Sequence, residues 1–383
     1  MHDRDEQRRR KGEKVRVPFR RNRQARKRVT DLTQEARDSP DHEIDAQRSE
    51  SVVAKGALSR QRTIIEPSES DVPDADLRRG IIVAVRGLFA DVDDGSRVWA
   101  CTVRRVLRTR VIDDRHPVTV GDRVGFRAGK DTEGATAEGV IESVEPRKGQ
   151  LQRIAGRRVQ TIAVNVDQSV IVSSAAEPDP KPHLIDRYIV SASAGQIAPI
   201  ICMNKIDLDA DGTAAFILDR YEAIGYRTLR ASAESGEGIE TLRGVLKDKE
   251  SVIVGQSGVG KSSLLNAVQP GLGLKTAKVQ ELSSKGRHTT TTASLIRLDF
   301  GGYVVDTPGI RSFDLGIVPK GELEAYFIEF VDLVAQCRFR NCTHTFEDEC
   351  AIRRAVEAGT IHPDRYDTYF GLYQEALERE RDR

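Results

Sequence analysis

Five short motifs that usually share one domain occur in this chain in a rotated order. The pattern N-K-x-D comes first, at Asn204–Asp207, and Ser232-Ala233 follows it. A glycine-rich loop comes only afterwards, at Gly255–Ser262, and is followed by the threonine run Thr289–Thr292 and by Asp306–Gly309. Each motif alone has ordinary explanations, whereas all five in one cyclic order indicate a single nucleotide-binding domain. We therefore predict an α/β domain whose chain is circularly permuted.

The glycine-rich loop stands between a predicted strand and a predicted helix. Ser251–Val254 is a β-branched run typical of a buried strand, and Ser263–Val268 has helical character. This order surrounds a phosphate with backbone N–H groups at a helix N-terminus, where the helix dipole also favours an anion. Lys261 is predicted to reach the β- and γ-phosphates, and the Ser262 hydroxyl to bind Mg²⁺. The predicted phosphate-binding residues are Gly255, Gln256, Ser257, Gly258, Val259, Gly260, Lys261, Ser262 and Ser263.

The N-K-x-D motif predicts which base is bound. It follows an apolar run, so it lies in a loop after a strand, where open α/β sheets bind ligands. The Asp207 carboxylate can accept hydrogen bonds from the N1–H and exocyclic amine of guanine, a donor pair that adenine cannot offer. Asn204 is expected to fix the loop and the Lys205 stem to pack over the base, which selects GTP over ATP. The predicted base-binding residues are Asn204, Lys205, Ile206, Asp207, Ser232 and Ala233.

The switch motifs lack a side chain that many GTPases use. Asp306 is expected to hold the Mg²⁺ shell through water, and the Gly309 N–H to sense the γ-phosphate. The next residue is Ile310, where many GTPases carry a glutamine that orients the attacking water, and an apolar side chain cannot do this. Thr290 is the predicted Mg²⁺ ligand from the threonine run. His288 is the one histidine within the motifs, so it is the candidate catalytic residue, with a surface histidine of no role as the alternative.

A separate cluster of metal-ligating residues lies near the C-terminus. Cys337, Cys342, His344 and Cys350 have the spacing C-x4-C-x-H-x5-C. Three thiolates and one imidazole complete a tetrahedral Zn²⁺ shell and leave no position for water, which indicates one structural zinc. The segment has little apolar content, so the metal is expected to supply much of its folding energy. Arginines around the cluster, and helical segments from Ala351 onwards, favour a compact helical unit that contacts RNA.

Residues 77–150 contain several short strands separated by Gly and Asp turns, which predicts a small barrel of the OB-fold type. Five arginines make the middle of this segment basic, which favours a surface facing RNA; a solvated arginine-rich face is the alternative. The predicted strands are 80–85, 97–103, 118–124 and 139–144, and the arginines are Arg104, Arg105, Arg108, Arg110 and Arg115.

Charge is strongly segregated ahead of the barrel. The whole chain has a net charge of +1, but Met1–Thr30 has thirteen basic residues against four acidic ones. Asp31–Leu77 then has twelve acidic residues against five basic ones. Phe19 is the one aromatic residue of this region, which cannot bury a core, so we predict a disordered extension at 1–76. Its basic end would bind phosphate backbones, or is a solvated tail with no fixed partner.

No targeting or membrane segment is predicted. The basic N-terminus lacks the apolar core of a signal peptide, and no run of eighteen apolar residues occurs. Cys101 and Cys202 lie singly in strand-like runs as expected buried thiols, and the other cysteines have metal-like spacing. This usage is typical of a reducing cytosol. We therefore expect a cytoplasmic protein. We also expect it to be a monomer.

Together these patterns predict a multidomain chain. A disordered charged extension occupies 1–76, and an N-terminal β-barrel of the OB-fold type occupies 77–150. A central α/β P-loop GTPase domain with circular permutation occupies 151–316. A C-terminal helical zinc-binding domain occupies 317–383. The length of 383 residues is sufficient for cores in each of the three folded parts.

This combination resembles the RsgA (YjeQ) family of bacterial small-ribosomal-subunit biogenesis GTPases. The resemblance covers the chain from about Leu77 onwards. It rests on the order of the three domains, on the four zinc ligands and on the nucleotide motifs Asn204–Asp207, Gly255–Ser263, His288–Thr290 and Asp306–Gly309. It implies a cytoplasmic protein that binds immature small subunits and their rRNA late in assembly. It also implies hydrolysis of GTP to GDP that is slow alone and accelerated by the subunit, with His288 matching the family's catalytic histidine. The stretch Met1–Ala75 departs from the family's pattern, so its role stays open.

The motifs alone leave two other functions open. One is a nucleotide-gated RNA-binding module with little turnover, and the other is a GTPase that acts at another RNA or ribosomal step. The motif order also has a mechanical consequence, because the chain after Gly309 runs through Arg311–Leu323 straight towards the zinc unit. Loss of the γ-phosphate relaxes switch loops, and this order would pass the relaxation to a domain that holds RNA.

Overall fold

The computed structural model describes residues 14–18, 61–65, 77–104, 107, 117–129, 137–155, 158–274, 293–306 and 318–381. The described residues divide into two compact units. The first takes in those of 1–80, 99–117 and 124–144, and the second takes in those of 81–98, 118–123 and 145–383. None of the described helices is long and apolar enough to cross a membrane.

Two short strands lie within the charged extension. β1 (Lys14–Pro18) pairs antiparallel with β2 (Gln61–Ile65). Both strands carry β-branched residues, which favour extended pairing, so these positions differ from the expectation of disorder. The remaining residues of 1–76 lie outside the described part of the chain, so the expectation of disorder stays a prediction for them.

The N-terminal β-barrel that the sequence predicts is confirmed. β3 (Arg78–Arg86) and β4 (Phe89–Asp93) form an antiparallel pair. β5 (Val98–Val103) runs parallel to β7 (Glu138–Val144), which pairs antiparallel with β6 (Arg123–Ala128). Four of these strands overlap predicted ones, whereas β4 follows β3 after a tight turn and was missed.

Buried rings form the core of the first unit. Trp99 and Phe126 are almost fully buried, and their ring centroids lie 5.6 Å apart. Cys101 is a buried thiol, as expected, and Gly139 passes so close that a Cβ there would lie 2.9 Å from its sulfur. Of the five arginines expected to face RNA, Arg104 is described, and its Nη1 donates a hydrogen bond to Glu142 at 2.8 Å.

A hairpin precedes the α/β sheet of the second unit. β8 (Gln150–Ala155) pairs antiparallel with β9 (Arg158–Val164). Gly121, with φ of +91°, approaches this hairpin so closely that a Cβ would lie 2.0 Å from a β9 carbonyl oxygen. The neighbouring Asp122 is fully buried and accepts two hydrogen bonds from the Arg147 guanidinium, at 2.8 and 2.9 Å. These contacts fix the chain as it enters the central domain.

The central domain is built on a mainly parallel sheet of six strands. They are β10 (Gln168–Ser174), β11 (Ala198–Asn204), β12 (Arg227–Arg230), β13 (Glu250–Val254), β14 (Ser294–Arg297) and β15 (Tyr303–Asp306). Their order is β12-β11-β10-β13-β15-β14, and within it β14 alone runs antiparallel to its neighbour. The strand before the glycine-rich loop, β13, is fourth along the chain but lies centrally between β10 and β15. The predicted circular permutation is therefore confirmed.

Helices cover both faces of this sheet. Every residue of β10 is buried, because Ile171 packs into one hydrophobic cluster and Val170 and Val172 pack into the other. The first cluster contains residues of α1 and α2, and the second contains residues of α3 and α4. These helices are α1 (Pro182–Ala194), α2 (Thr213–Ala223), α3 (Ile239–Leu246) and α4 (Lys261–Val268).

The C-terminal part is helical, as predicted. Its core is a cluster of rings in which Phe327, Phe330 and Tyr369 lie with centroids 5.1 to 5.4 Å apart. Val190 of α1 joins the same core. The elements are two 3-10 helices (Lys320–Tyr326 and Ile328–Phe330), α5 (Val331–Val334), α6 (Ala351–Glu357) and α7 (Pro363–Arg381).

A buried ion-pair network joins α1 to α7. Arg365 donates to Asp186 at 2.6 Å and, through two N–H groups, to Glu329 at 2.6 and 2.9 Å. The Tyr221 hydroxyl also donates to Asp186, at 2.6 Å, and the guanidinium lies 4.7 Å from the ring centroid of Phe327. Arg365 is 4% exposed and Asp186 is 0% exposed. Burial opposes the charge, but the two carboxylates hold the pKa of Arg365 well above its ordinary value.

Candidate nucleotide-binding site and metal centre

The described parts of the predicted nucleotide motifs meet at one edge of the sheet. The carboxyl ends of parallel strands share an edge, and this is where open α/β sheets bind ligands. The N-K-x-D motif starts at the end of β11, Ser232-Ala233 follows β12, the glycine-rich loop follows β13, and Asp306 ends β15. Because these strands are all parallel, motifs far apart in the chain come together.

The glycine-rich loop is packed so tightly that a side chain would not fit at two of its glycines, Gly255 and Gly260. Gly255 has φ of +143°, and a Cβ there would lie 2.1 Å from the Val172 carbonyl oxygen on β10. Gly260 has φ of +92°, and a Cβ there would lie 2.3 Å from Nδ2 of Asn204. Gly258 also has a positive φ, of +87°. The loop is therefore a backbone cradle of the kind that binds phosphates through N–H groups.

Lys261 begins the helix that follows the cradle. Its Nζ donates hydrogen bonds to the carbonyl oxygens of Gly255 and Gln256, both at 2.8 Å. Burial lowers the pKa of Lys261, because desolvation disfavours the ammonium. Ser262 and Ser263 are half-buried on the first turn of the same eight-residue helix. An ammonium, two hydroxyls and a helix N-terminus thus stand together where anions bind favourably.

Asn204 connects three of the motifs. Its Nδ2 donates to the Val259 carbonyl oxygen in the glycine-rich loop at 2.7 Å. Its Oδ1 accepts from the Ala233 N–H at 3.2 Å. The residue is 1% exposed, so both bonds are shielded from water. The expectation that Asn204 fixes the base-reading loop has a concrete basis in these bonds.

Exposure to solvent increases along the remainder of the base-reading loop, from half-buried Lys205 and Ile206 to exposed Asp207. Lys205 has a left-handed backbone, with φ of +58°, and its Nζ donates to the Glu177 carbonyl oxygen in the loop after β10. The Ile206 N–H donates to the Ala231 carbonyl oxygen at 3.2 Å, which ties the loop to the end of β12. Asp207 is exposed, so its carboxylate is accessible to a ligand.

The switch motifs are described only at Asp306. This residue is half-buried at the end of β15, and burial raises the pKa of its carboxyl group. His288, Thr290 and Gly309 lie outside the described residues, and so does Ile310. Their assignments stay predictions from the sequence.

The predicted metal ligands form one tight cluster. The three sulfur atoms and one imidazole nitrogen lie within 4.8 Å of one another. A tetrahedral zinc with bonds of about 2.0–2.3 Å separates its ligands by roughly 3.5–3.8 Å, so small shifts would complete the shell. Burial raises the pKa of the Cys342 thiol to about 12 and also raises that of Cys350. The cluster could hold a metal ion, and its residues are Cys337, Cys342, His344 and Cys350.

The structure adds polar partners that sequence reasoning missed. The Nε2 atom of His344 lies 2.8 Å from an oxygen of Glu324. The Tyr366 hydroxyl donates to the His344 carbonyl oxygen, and the Tyr369 hydroxyl donates to that of Thr343, both at 2.9 Å. No spacing rule marks these residues, because they come from other helices and meet the loop only in the folded chain.

This geometry has counterparts in known proteins. Residues 144–316 match the family model of the RsgA GTPase. The small ribosomal subunit biogenesis GTPase RsgA of Sodalis glossinidius (strain morsitans) is 38% identical over 310 residues, which are 79% of this chain and 87% of that protein. The crystal structure of YjeQ from Thermotoga maritima covers 79% of this chain and 99% of that chain, with 36% identity and a TM-score of 0.65. The structure of YloQ, a circularly permuted GTPase, covers 79% and 96%, with 31% identity and a TM-score of 0.62.

Proposed function

Because this chain belongs to the RsgA GTPase family, we propose that it binds the small ribosomal subunit and its rRNA, hydrolyses GTP to GDP and phosphate there, and assists late maturation of that subunit. The observation that carries the nucleotide part is the double hydrogen bond of Asn204. This side chain holds the base-reading loop and the phosphate loop in one site. A site that contacts base and phosphates together fits a nucleotide, and Asp207 is proposed to select guanine.

The phosphates are assigned to the cradle and the helix behind it. The backbone N–H groups of 255–260 surround them, and the absence of room for a Cβ at Gly255 and Gly260 supports this fit. Lys261 is proposed to turn from the loop carbonyls to the β- and γ-phosphates, and the Ser263 hydroxyl completes the contacts.

Mg²⁺ is proposed to accompany GTP, where it neutralises charge on the β- and γ-phosphates. Ser262 lies in the first turn of α4, and Asp306 lies at the end of β15. Both side chains offer oxygen atoms, the ligands that Mg²⁺ prefers. Thr290 is proposed as the ligand from the threonine run, and the Gly309 N–H as the sensor of the γ-phosphate.

Changing Asp207 to asparagine should weaken GTP binding by roughly 2 kcal/mol or more, because a charged acceptor paired with two guanine donors is lost. Xanthosine triphosphate, whose changed edge suits an amide, should bind Asp207→Asn better than it binds the wild type. Titration with fluorescent GTP and xanthosine triphosphate measures both effects. Asp219→Asn, an exposed change on α2, is the control and should bind GTP normally. Wild-type protein that binds ATP as tightly as GTP would contradict the assignment.

Hydrolysis measured with and without purified small subunits tests the proposed function as a whole. A GTPase of subunit maturation should be slow alone and several-fold or more faster with immature small subunits. Rates that stay negligible in both conditions, with subunit binding still dependent on nucleotide, would instead support a gated RNA-binding module. Stimulation by another RNA or particle, and none by small subunits, would place the enzyme at a different step.

One structural zinc is proposed at the cysteine–histidine cluster, where it would hold the loop to the helical unit. Metal analysis should give about one zinc per chain. Cys342→Ser should release it and unfold the C-terminal unit, with nucleotide binding nearly intact because the phosphate loop lies in another domain. Cys101→Ala, a buried thiol outside the cluster, is the control and should keep its zinc. Finding no zinc in protein purified without chelator would sink this proposal.

The remaining assignments follow from the same family membership. The chain is proposed to act in the cytoplasm as a monomer, with domains at 77–150, 151–316 and 317–383. The barrel and the zinc unit are proposed to contact rRNA. Arg340 and Arg354 are exposed on the zinc unit, which agrees with such a contact.

A further inference from the structure

The two ring nitrogens of His344 face different groups, sulfur atoms on one side and a carboxylate on the other. Its side chain is 0% exposed. Nδ1 lies 3.6 Å from the Cys337 sulfur and 3.4 Å from the Cys350 sulfur. Nε2 lies 2.8 Å from Oε2 of Glu324. The imidazole therefore stands between the sulfur cluster and a single carboxylate.

The carboxylate decides which nitrogen carries the proton. An ionised carboxylate only accepts hydrogen bonds, and a neutral imidazole has one N–H and one lone pair. Nε2–H therefore donates to Glu324, and the Nδ1 lone pair faces the sulfur atoms. A lone pair in this position is what a tetrahedral metal requires of its fourth ligand. A carboxylate behind a metal-binding histidine also makes the ring a more basic ligand.

Glu324 comes from outside the metal-binding loop. It lies on the 3-10 helix Lys320–Tyr326, whereas the four clustered ligands lie between 337 and 350. That helix is anchored by Leu323, which is 2% exposed in the C-terminal core, and is followed by Phe327 of the ring cluster. The position of the carboxylate is therefore set by the core and not by the loop itself.

We propose that Glu324 is a positioning residue of the metal centre, which fixes the tautomer and orientation of His344 so that Nδ1 binds the metal. This inference rests on the metal centre proposed above. It adds that the centre includes a contact between the metal-binding loop and the 3-10 helix Lys320–Tyr326. Metal binding and docking of this helix then stabilise each other. The alternative is that Glu324 contacts His344 without influencing the metal. In that case, removing Glu324 would leave metal binding unchanged.

The proposal and this alternative predict different Zn²⁺ affinities for a variant without Glu324, which allows a direct test on the full chain. Zn²⁺ affinity is measured by competition with a chromophoric chelator, and the geometry of the site by absorption of the Co²⁺-loaded protein. Glu324→Ala should weaken Zn²⁺ binding by about 10–100-fold and alter the Co²⁺ bands. Glu324→Gln, whose amide oxygen still accepts from Nε2–H, should recover part of that loss. Glu322→Ala, an exposed change on the same helix, is the control and should match the wild type.

The other outcomes separate the role of Glu324 from the existence of the metal centre. Zn²⁺ affinity in Glu324→Ala equal to or above that of the wild type, with unchanged Co²⁺ bands, overturns the role of Glu324. If Cys342→Ser releases zinc in the same experiments, the metal centre itself stands. Wild-type protein that binds no Zn²⁺ removes the centre and this inference together. If Glu324→Ala fails to fold, Glu324→Leu decides, because its side chain is of similar size and accepts no hydrogen bond. Wild-type Zn²⁺ affinity with unchanged Co²⁺ bands in Glu324→Leu overturns the inference.

Discussion

Replacing Arg365 by alanine should lower the free energy of unfolding of the C-terminal unit by about 3–5 kcal/mol, the usual cost of removing one partner from a buried ion pair. The change leaves Asp186 and Glu329, which are 0% and 9% exposed at their side chains, without their common cation. It also removes the guanidinium that packs on the Phe327 ring. Chemical denaturation of full-length protein, followed by tyrosine fluorescence and by zinc release, measures the loss.

A matched control separates burial from charge. Arg220 pairs with Asp364 at 3.2 Å, but that carboxylate is 51% exposed, and exposed pairs contribute at most about 1 kcal/mol. Arg220→Ala should therefore change stability little. Arg365→Lys should recover only part of the loss, because an ammonium cannot bond two carboxylates in the planar arrangement of a guanidinium. Equal, small effects in Arg365→Ala and Arg220→Ala would mean that water reaches the network.

Hydrogen bonds and the covalent chain connect the base-reading loop to the same ion-pair network. The Ala175 N–H donates to the Asn204 carbonyl oxygen at 2.9 Å, and Lys205 bonds the Glu177 carbonyl oxygen. That segment leads into α1, which carries Asp186. Contact alone does not demonstrate coupling between sites. If the path carries free energy, Arg365→Ala should change GTP affinity although it touches no nucleotide contact, and Arg220→Ala should not.

The parts of the fold that follow from local pattern were predicted well from the sequence. The strand expected at 251–254 is β13, and the apolar run that precedes the N-K-x-D motif, at 199–203, lies within β11. Short apolar runs rich in β-branched residues are typical of parallel strands that are buried on both faces of a sheet. The cysteine–histidine cluster was predicted for a similar reason, because ligand spacing within one loop is a local property. The structure brings these four residues together as expected.

The parts that depend on distant side chains were not predicted. Asp186, Glu329 and Arg365 are charged residues, which in a sequence indicate a solvated surface, yet here their side chains are buried as ion pairs. Glu324 is similarly unmarked, since it lies twenty residues from His344 along the chain. Pairings of this kind arise only when separate helices pack. A single sequence contains no periodic signal for them.

Replacing His288 by alanine should reduce hydrolysis stimulated by the small subunit by something like ~10²-fold, typical of losing a positioned acid–base or orienting group. Ile310 provides no polar atom for the attacking water, and His288 is the nearest polar substitute in the order of the motifs. GTP binding should persist, because the base, phosphate and Mg²⁺ contacts are assigned to other residues. Single-turnover hydrolysis with purified subunits measures the effect, and His362→Ala, an exposed histidine outside the motifs, is the control.

The effect of His288→Ala should be larger with the subunit than without it, because the stimulated reaction is the one in which His288 is proposed to position the attacking water. The variant should then remain on the small subunit in its GTP form, which co-sedimentation with labelled nucleotide would detect. Stimulated hydrolysis that survives within a factor of about two would assign the water to another residue or to the ribosome itself. If the ribosome positions the water, the subunit supplies a catalytic group directly, and stimulation reflects completion of the active site by the partner.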